Sequence, residues 1–108
     1  MKIPLQVPSW NRMYRVHGSI VYKTAEAKQF QRDLSMLYVG KYHEGLVEMR
    51  IIIERNPIID CDNAAKAICD SLQGRAYKTD RQIRKLSIEM LPCPKGKDTI
   101  DISVSELI

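Results

Sequence analysis

MRIIIERNPIIDCDNAAKAICD, residues 49–70, decides how the rest of the chain is read. Its first half continues an alternation in which Val47, Met49, Ile51 and Ile53 share one face, the pattern of a core β-strand. NPII ends that strand, and a polar run begins at once with Asp60 and Asp62, one residue apart. Two carboxylates that close repel each other, so a cation, a helix cap or solvent must offset them. Asp62 reads as an N-cap, and NAAKAICDSLQG as a helix closed by Gly74. Ala65, Ile68, Cys69 and Leu72 form its inward stripe. Asp62, Lys66 and Asp70, at i, i+4 and i+8, share a second stripe.

Upstream, IPLQV at residues 3–7 predicts a short strand at a sheet edge, because Pro4 cannot donate to a ladder. PSWNRMYRVHG then reads as an irregular loop and IVYK as a short extended piece. Thr24 is placed to cap a helix over AEAKQFQRDLSMLYVG, with Ala27, Phe30, Leu34 and Leu37 at helical spacing and Gly40 as its stop. Downstream, RAYKTD is a loop. RQIRKLSIEML puts Leu86, Ile88 and Met90 on one strand face, and DTIDISVSEL does the same with Ile100, Ile102 and Val104. PCPKGK between them predicts a hairpin-like connection. The expected fold is α/β (α+β): a small mixed sheet of about four strands with two main helices packed on it, in the order β-α-β-α-β-β.

Residues 1–108 are short enough for a single domain. With 44% hydrophobic and 28% charged residues, the composition excludes a disordered chain. No apolar run approaches the length of a membrane span, and MKIPLQVPSWNR lacks the apolar region of a signal peptide. The three cysteines, Cys61, Cys69 and Cys93, form no CxxC pair, and their odd number argues against a disulfide framework. A reducing cytoplasm is the expectation. Seventeen bases against thirteen acids give a net charge of +4, which is compatible with a polyanionic partner without requiring one.

In an extended stretch Asp60 and Asp62 point the same way, and such a pair suits a hard divalent cation such as magnesium. A cap at Asp62, a helix-dipole role for Asp60 and a simple Asp62–Lys66 ion pair explain the same spacing without any ligand. By spacing alone that account is the simpler one. Lys66, placed to neutralise charge on a phosphoryl group, and Asp80, a third carboxylate beyond the helix, favour the metal account. Arg75, Lys78, Arg81, Arg84 and Lys85 surround Asp80, and Trp10, Asn11, Arg12, Tyr14 and Arg15 interleave aromatic and basic groups. Phosphate contact and a solvated surface are both open for these clusters. His17 and His43 lie at no metal-ligand spacing to the acids.

DCDNAAKAICDSLQG followed by YKTDRQI resembles the signature of the RusA family of Holliday junction resolvases. That pattern has an acid, any residue, Asp-Asn, a lysine three residues on, then Asp and Leu, and later Asp-Asp-x-Gln-Ile/Val. PSWNRMYR is similar to the family's N-terminal Pro-Ser-x-Asn-x-x-Tyr-Arg stretch. The resemblance runs from about Pro8 to the final strand. It implies a homodimeric, magnesium-dependent endonuclease, with manganese as a substitute ion. Such an enzyme cuts four-way DNA junctions in recombination and repair, and phage or prophage origin is common. Asp60, Asp62 and Asp80 match the family's metal-holding catalytic acids, and Lys66 matches its essential lysine. Asn63 and Asp70 are placed behind the ligands rather than among them. The resemblance favours DNA contact for Arg12 and Arg15, and for Arg75, Lys78, Arg81 and Arg84. One departure is Thr79, where the family carries the first acid of its Asp-Asp pair. A non-catalytic junction-binding module of the same fold is the alternative, and a nucleotide-sugar transferase fragment is a third reading that the short chain disfavours.

Overall fold

The computed structural model describes residues 1–107. A four-stranded sheet is built from β1 (Lys2–Ile3), β4 (Val47–Arg55), β5 (Ile83–Pro92) and β6 (Thr99–Glu106) in the order β1-β6-β4-β5. β4 is central, parallel to β5 and antiparallel to β6. Its alternation works as expected: Val47, Met49, Ile51 and Ile53 are buried, while Arg50 on the opposite face is exposed. Each fully buried aliphatic side chain of this kind contributes about 1.5–3 kcal/mol. On that covered face lie α2 (Ala25–Leu37) and α3 (Cys61–Ser71), which pack against each other. Phe30 and Leu34 from α2, Ile68 and Leu72 from α3, and Ile100 and Ile102 from β6 close the core. The mixed sheet with two main helices is as the sequence predicts.

Five details differ. The first strand ends at Ile3, paired at the edge with Ile100 of β6, because Pro4 removes the next donor. The stretch read as irregular contains a four-residue helix, α1 (Trp10–Met13), and then β2 (Tyr14–His17), which pairs with β3 (Ile20–Lys23) in a separate hairpin. Gly18, at φ +64°, makes that tight reversal possible. α2, capped at Thr24 as predicted, stops at Leu37 rather than reaching Gly40. The Tyr38 ring lies so close to Gly40 that a Cβ there would collide with the phenol oxygen, so Gly40 marks a close approach rather than the helix stop. α3 begins two residues earlier than expected, and its cap is Asp60, whose carboxylate accepts the Asp62 N–H at 2.9 Å. Finally, β5 and β6 are not neighbours. β4 lies between them, so the Pro-Gly connection arches over the end of β4. There Asn56 donates from its side chain to the Cys93 carbonyl (2.9 Å) and from its backbone to Asp98 (3.2 Å).

Arg55, on the buried face at the end of β4, is only 3% exposed. Its guanidinium donates to the carbonyls of Val7 (2.7 Å) and Pro57, tying the N-terminal segment to the exit from β4. Nothing in the alternation announces this residue as a brace. Its neighbours in space come from two distant segments.

Candidate functional site

α3 carries the chemistry because one side of it is committed to the core. Ala64, Ala65, Ala67, Ile68 and Cys69 are buried, which leaves Asp62 and Lys66 exposed and Asp70 half-buried on the stripe that faces away. Asp60 is exposed at the cap, and Asn63 is half-buried in the first turn. Because β4 and β5 are parallel, α3 runs back along the sheet between them. Asp60 and Asp62 therefore stand where β4 ends, and Asp70 stands about 12 Å of helix rise away, toward the start of β5.

Asp80 arrives at that second end. The turn carrying it is held by a dense set of bonds. Asp80 N–H donates to Gln73 Oε1 (3.1 Å), Thr79 and Gln82 form a capping box around the 3₁₀ turn Asp80–Gln82, and Gln82 Nε2 donates to the carbonyls of His43 (3.0 Å) and Gly45 (2.8 Å). Tyr77, fully buried, donates its hydroxyl to the Cys69 carbonyl at 2.7 Å and fastens the turn to α3. His43 is likewise buried and structural. Thr79, the departure from the family pattern, has a local role as the N-cap.

The side chain that Asp80 meets is Asp70. Burial, and then the Asp80 charge beside it, raise the Asp70 carboxyl above its ordinary range, while Lys23 and Lys66 pull it back. Burial also pushes the Cys69 thiol up to about 11, with Asp70 and Asp80 adding to the rise. Among the described residues, none of Asp60, Asp62, Asp70 and Asp80 makes a salt bridge within 4.0 Å. Two neighbouring carboxylates with no cation within 4.0 Å are a donor set that a hard, oxygen-preferring ion suits. Among the described residues no three acidic, histidine or cysteine groups stand together as a ready ion cage.

The basic residues divide. Arg75 is engaged within the fold: its guanidinium donates to the carbonyls of Ser35 and Tyr38 and lies over the Tyr38 ring at 5.6 Å, closing the C-terminal end of α2. Lys78 and Arg81 are exposed on the Asp80 turn, and Arg84 donates to the Arg81 carbonyl at 3.3 Å. Lys85 pairs with Glu48 at 3.3 Å across the β5–β4 ladder. Arg12 pairs with Glu26 at 3.4 Å, and Arg15 donates to the Asn11 carbonyl. Trp10 tilts against Tyr14 with ring centroids 5.1 Å apart. The residue that sequence reading did not select for the site is Lys23, at the foot of the hairpin, whose charge reaches Asp70. No local spacing could have found it.

Two concavities flank the acidic pair. A groove of about 760 Å³ between α2 and α3 includes Asp70, and a cleft of about 300 Å³ between α3 and β5 includes Asp80. Two open concavities fringed by bases, each with a carboxylate in its lining, are a layout for handling a polyanion with metal assistance. The profile of the family described as Endodeoxyribonuclease RusA matches residues 4–105, nearly the whole length, and the chain belongs to that family. It is an endodeoxyribonuclease of the Holliday junction resolvase class, a class that depends on divalent metal and binds branched DNA. No curated protein matches the chain. Among the described residues no helix is long and apolar enough to cross a membrane. The family membership leaves the sugar-transferase reading without support.

Proposed function

We propose that this chain is a magnesium-dependent nuclease that resolves four-way DNA junctions as a homodimer in the cytoplasm, in the service of recombination and repair. The observation that carries the proposal is the delivery of Asp80 to the Asp–Lys–Asp stripe of α3, within the family match. Asp60 and Asp62 at one end of α3, and Asp80 beside Asp70 at the other, do not meet within one chain, so each set would hold an ion separately, together with phosphate oxygens and the waters that magnesium retains, manganese being a substitute. When bound, such an ion lowers the pKa of a water and neutralises charge on the phosphate under attack. Lys66, exposed midway between Asp62 and Asp70, offsets negative charge gathering on the phosphoryl oxygens. Asp60 also keeps the first turn of α3 in place through its cap, so its loss affects both position and charge. Asp70 and Asn63 support these groups from α3 itself. Lys78, Arg81 and Arg84 grip phosphates near Asp80, and Arg12 and Arg15 reach flanking DNA. Arg75 braces the end of α2 through its Nε and Nη2 donors and also lines the α2–α3 groove. Cutting two opposed strands needs two opposed sites, which a two-fold dimer provides.

The alternative, a junction-binding module without activity, drew on Thr79. Thr79 caps the 3₁₀ turn that carries Asp80, a structural role compatible with activity. The test uses a labelled four-way junction and a matched linear duplex, with magnesium or chelator, for wild type, Asp60→Asn, Asp80→Asn, Asp70→Asn and Lys66→Ala. Paired nicks by wild type, abolished in Asp60→Asn, Asp80→Asn and Lys66→Ala while junction binding persists, are expected. Binding without nicks at any magnesium concentration transfers the assignment to the non-catalytic module.

A further inference from the structure

The outer surface of α2 is sorted by charge in a way the acidic site does not explain. Lys28 and Arg32, one turn apart, line the α2–α3 groove together with Gln31, Ser35 and Met36. The acids Glu26 and Asp33 lie on the opposite flank, along the recess that holds Arg12. Like charges at i, i+4 are mildly unfavourable on a helix. Here neither one has a carboxylate partner among the described residues, and Arg32 donates only to Gln29 Oε1, at 2.9 Å. Lys23, just before α2, extends the row toward Asp70.

The groove has a direction. Asp70 forms part of its wall, and the Asp80 that Asp70 contacts belongs to the second cleft, which Arg84 also lines. One concavity is thus lined by Asp70 and the other by its neighbour Asp80. A chain of phosphates laid from one into the other passes over those carboxylates. It also leaves the pair with neutral hydrogen-bonding groups, Gln31 and Ser35, and with Met36, 72% exposed, which offers an apolar surface to a base.

We propose that the α2–α3 groove is the track for the strand that is cut, with Lys28 and Arg32 binding the sugar–phosphate backbone on one side of the scissile bond. Arg84 binds it on the other side. The inference rests on the nuclease reading for the meaning of the acidic pair, but its test is a binding measurement. The occupant is a single DNA strand drawn out of the branch rather than an intact duplex, because the recess between α2 and α3, about 760 Å³, has room for one strand's backbone and not for a duplex.

The experiment measures junction and single-strand affinity by fluorescence anisotropy in chelator, across a range of salt. It compares wild type, the pair Lys28→Gln with Arg32→Gln, and the pair Lys95→Gln with Lys97→Gln. The last pair removes the same charge from the β5–β6 connection at the far end of the sheet. The groove pair is expected to weaken binding by about 10- to 100-fold and to reduce the slope of log K against log salt by about 1.4–1.8, as loss of two phosphate contacts requires. The control pair is expected to retain wild-type affinity. Junctions carrying neutral methylphosphonate linkages next to the cut position should weaken wild type and leave the groove pair unaffected. Equal weakening by both pairs, or wild-type binding by the groove pair, overturns the track. A wild type that never nicks yet binds through Lys28 and Arg32 refutes the nuclease reading and supports the track.

Discussion

Gln82 joins three segments of the chain, and removing its amide tests whether that joint positions Asp80. Its Oε1 accepts from the backbone N–H groups of Lys78 (2.8 Å) and Thr79 (3.1 Å), while Nε2 donates to the carbonyls of His43 and Gly45. A net intramolecular hydrogen bond is worth about 0.5–1.5 kcal/mol. The side chain is only half-buried and water can replace some partners, so the lower end applies, and four bonds give about 2–3 kcal/mol for Gln82→Ala. For a chain of this size that is a fall of roughly 8–20 °C in Tm. The Asp80 turn loses half of its capping box at the same time. Single-turnover junction cleavage should therefore fall more steeply than affinity, by about tenfold or more, since small misplacements near the reacting groups are costly. Urea unfolding followed by far-UV circular dichroism measures the first effect, and quenched-flow cleavage at saturating enzyme the second. Gln82→Glu separates the parts: it keeps both acceptors and sets a carboxylate against two carbonyls. A stability loss under 0.5 kcal/mol with wild-type cleavage in Gln82→Ala would refute the reasoning, because four bonds and an aligned carboxylate cannot both be dispensable.

Further outcomes follow from the same geometry. Ile51→Ala, at the centre of β4, should cost about 2–5 kcal/mol in a urea melt, since the site is fully buried and walled by two helices. Thr79→Asp should keep the turn capped and retain stability within about 0.5 kcal/mol, whereas Thr79→Ala should lose about 1 kcal/mol. With the Cys69 thiol raised from 9.0 to about 11 by burial, the fold favours its neutral form. The stability gained from that is complete below the ordinary thiol value and is lost as pH climbs through about 11, so urea midpoints should fall over that interval and Cys69→Ala should flatten the fall. Arg75→Ala should lower Tm in a thermal melt, because its guanidinium donates to the carbonyls of Ser35 and Tyr38 and lies over the Tyr38 ring.

Much of this chain is legible without coordinates, for reasons that operate over a few residues. The period-two run through Val47, Met49, Ile51 and Ile53 can bury one face only as a strand. The stripe Ala65, Ile68, Cys69, Leu72 can bury one face only as a helix, which leaves Asp62, Lys66 and Asp70 outside. Thr24 and the Asp60–Asp62 pair announce helix starts, although which of the two aspartates caps α3 depended on where the backbone turned. The family pattern adds the candidate acids and lysine as a set.

Tertiary structure alone decided what those residues meet. Whether β5 follows β4 or pairs with β6 depends on which arrangement gives α3 a surface to cover, a property of the whole sheet. The answer, β4 in the middle, sends α3 back along the strands and separates Asp60 and Asp62 from the end where Asp80 enters. The contact of Asp80 with Asp70, the approach of Lys23, and the use of Arg55 and Arg75 as braces all join segments remote in sequence. Periodicity and capping record the demands of neighbours along the chain. Proximity across it is set by packing, to which every element contributes.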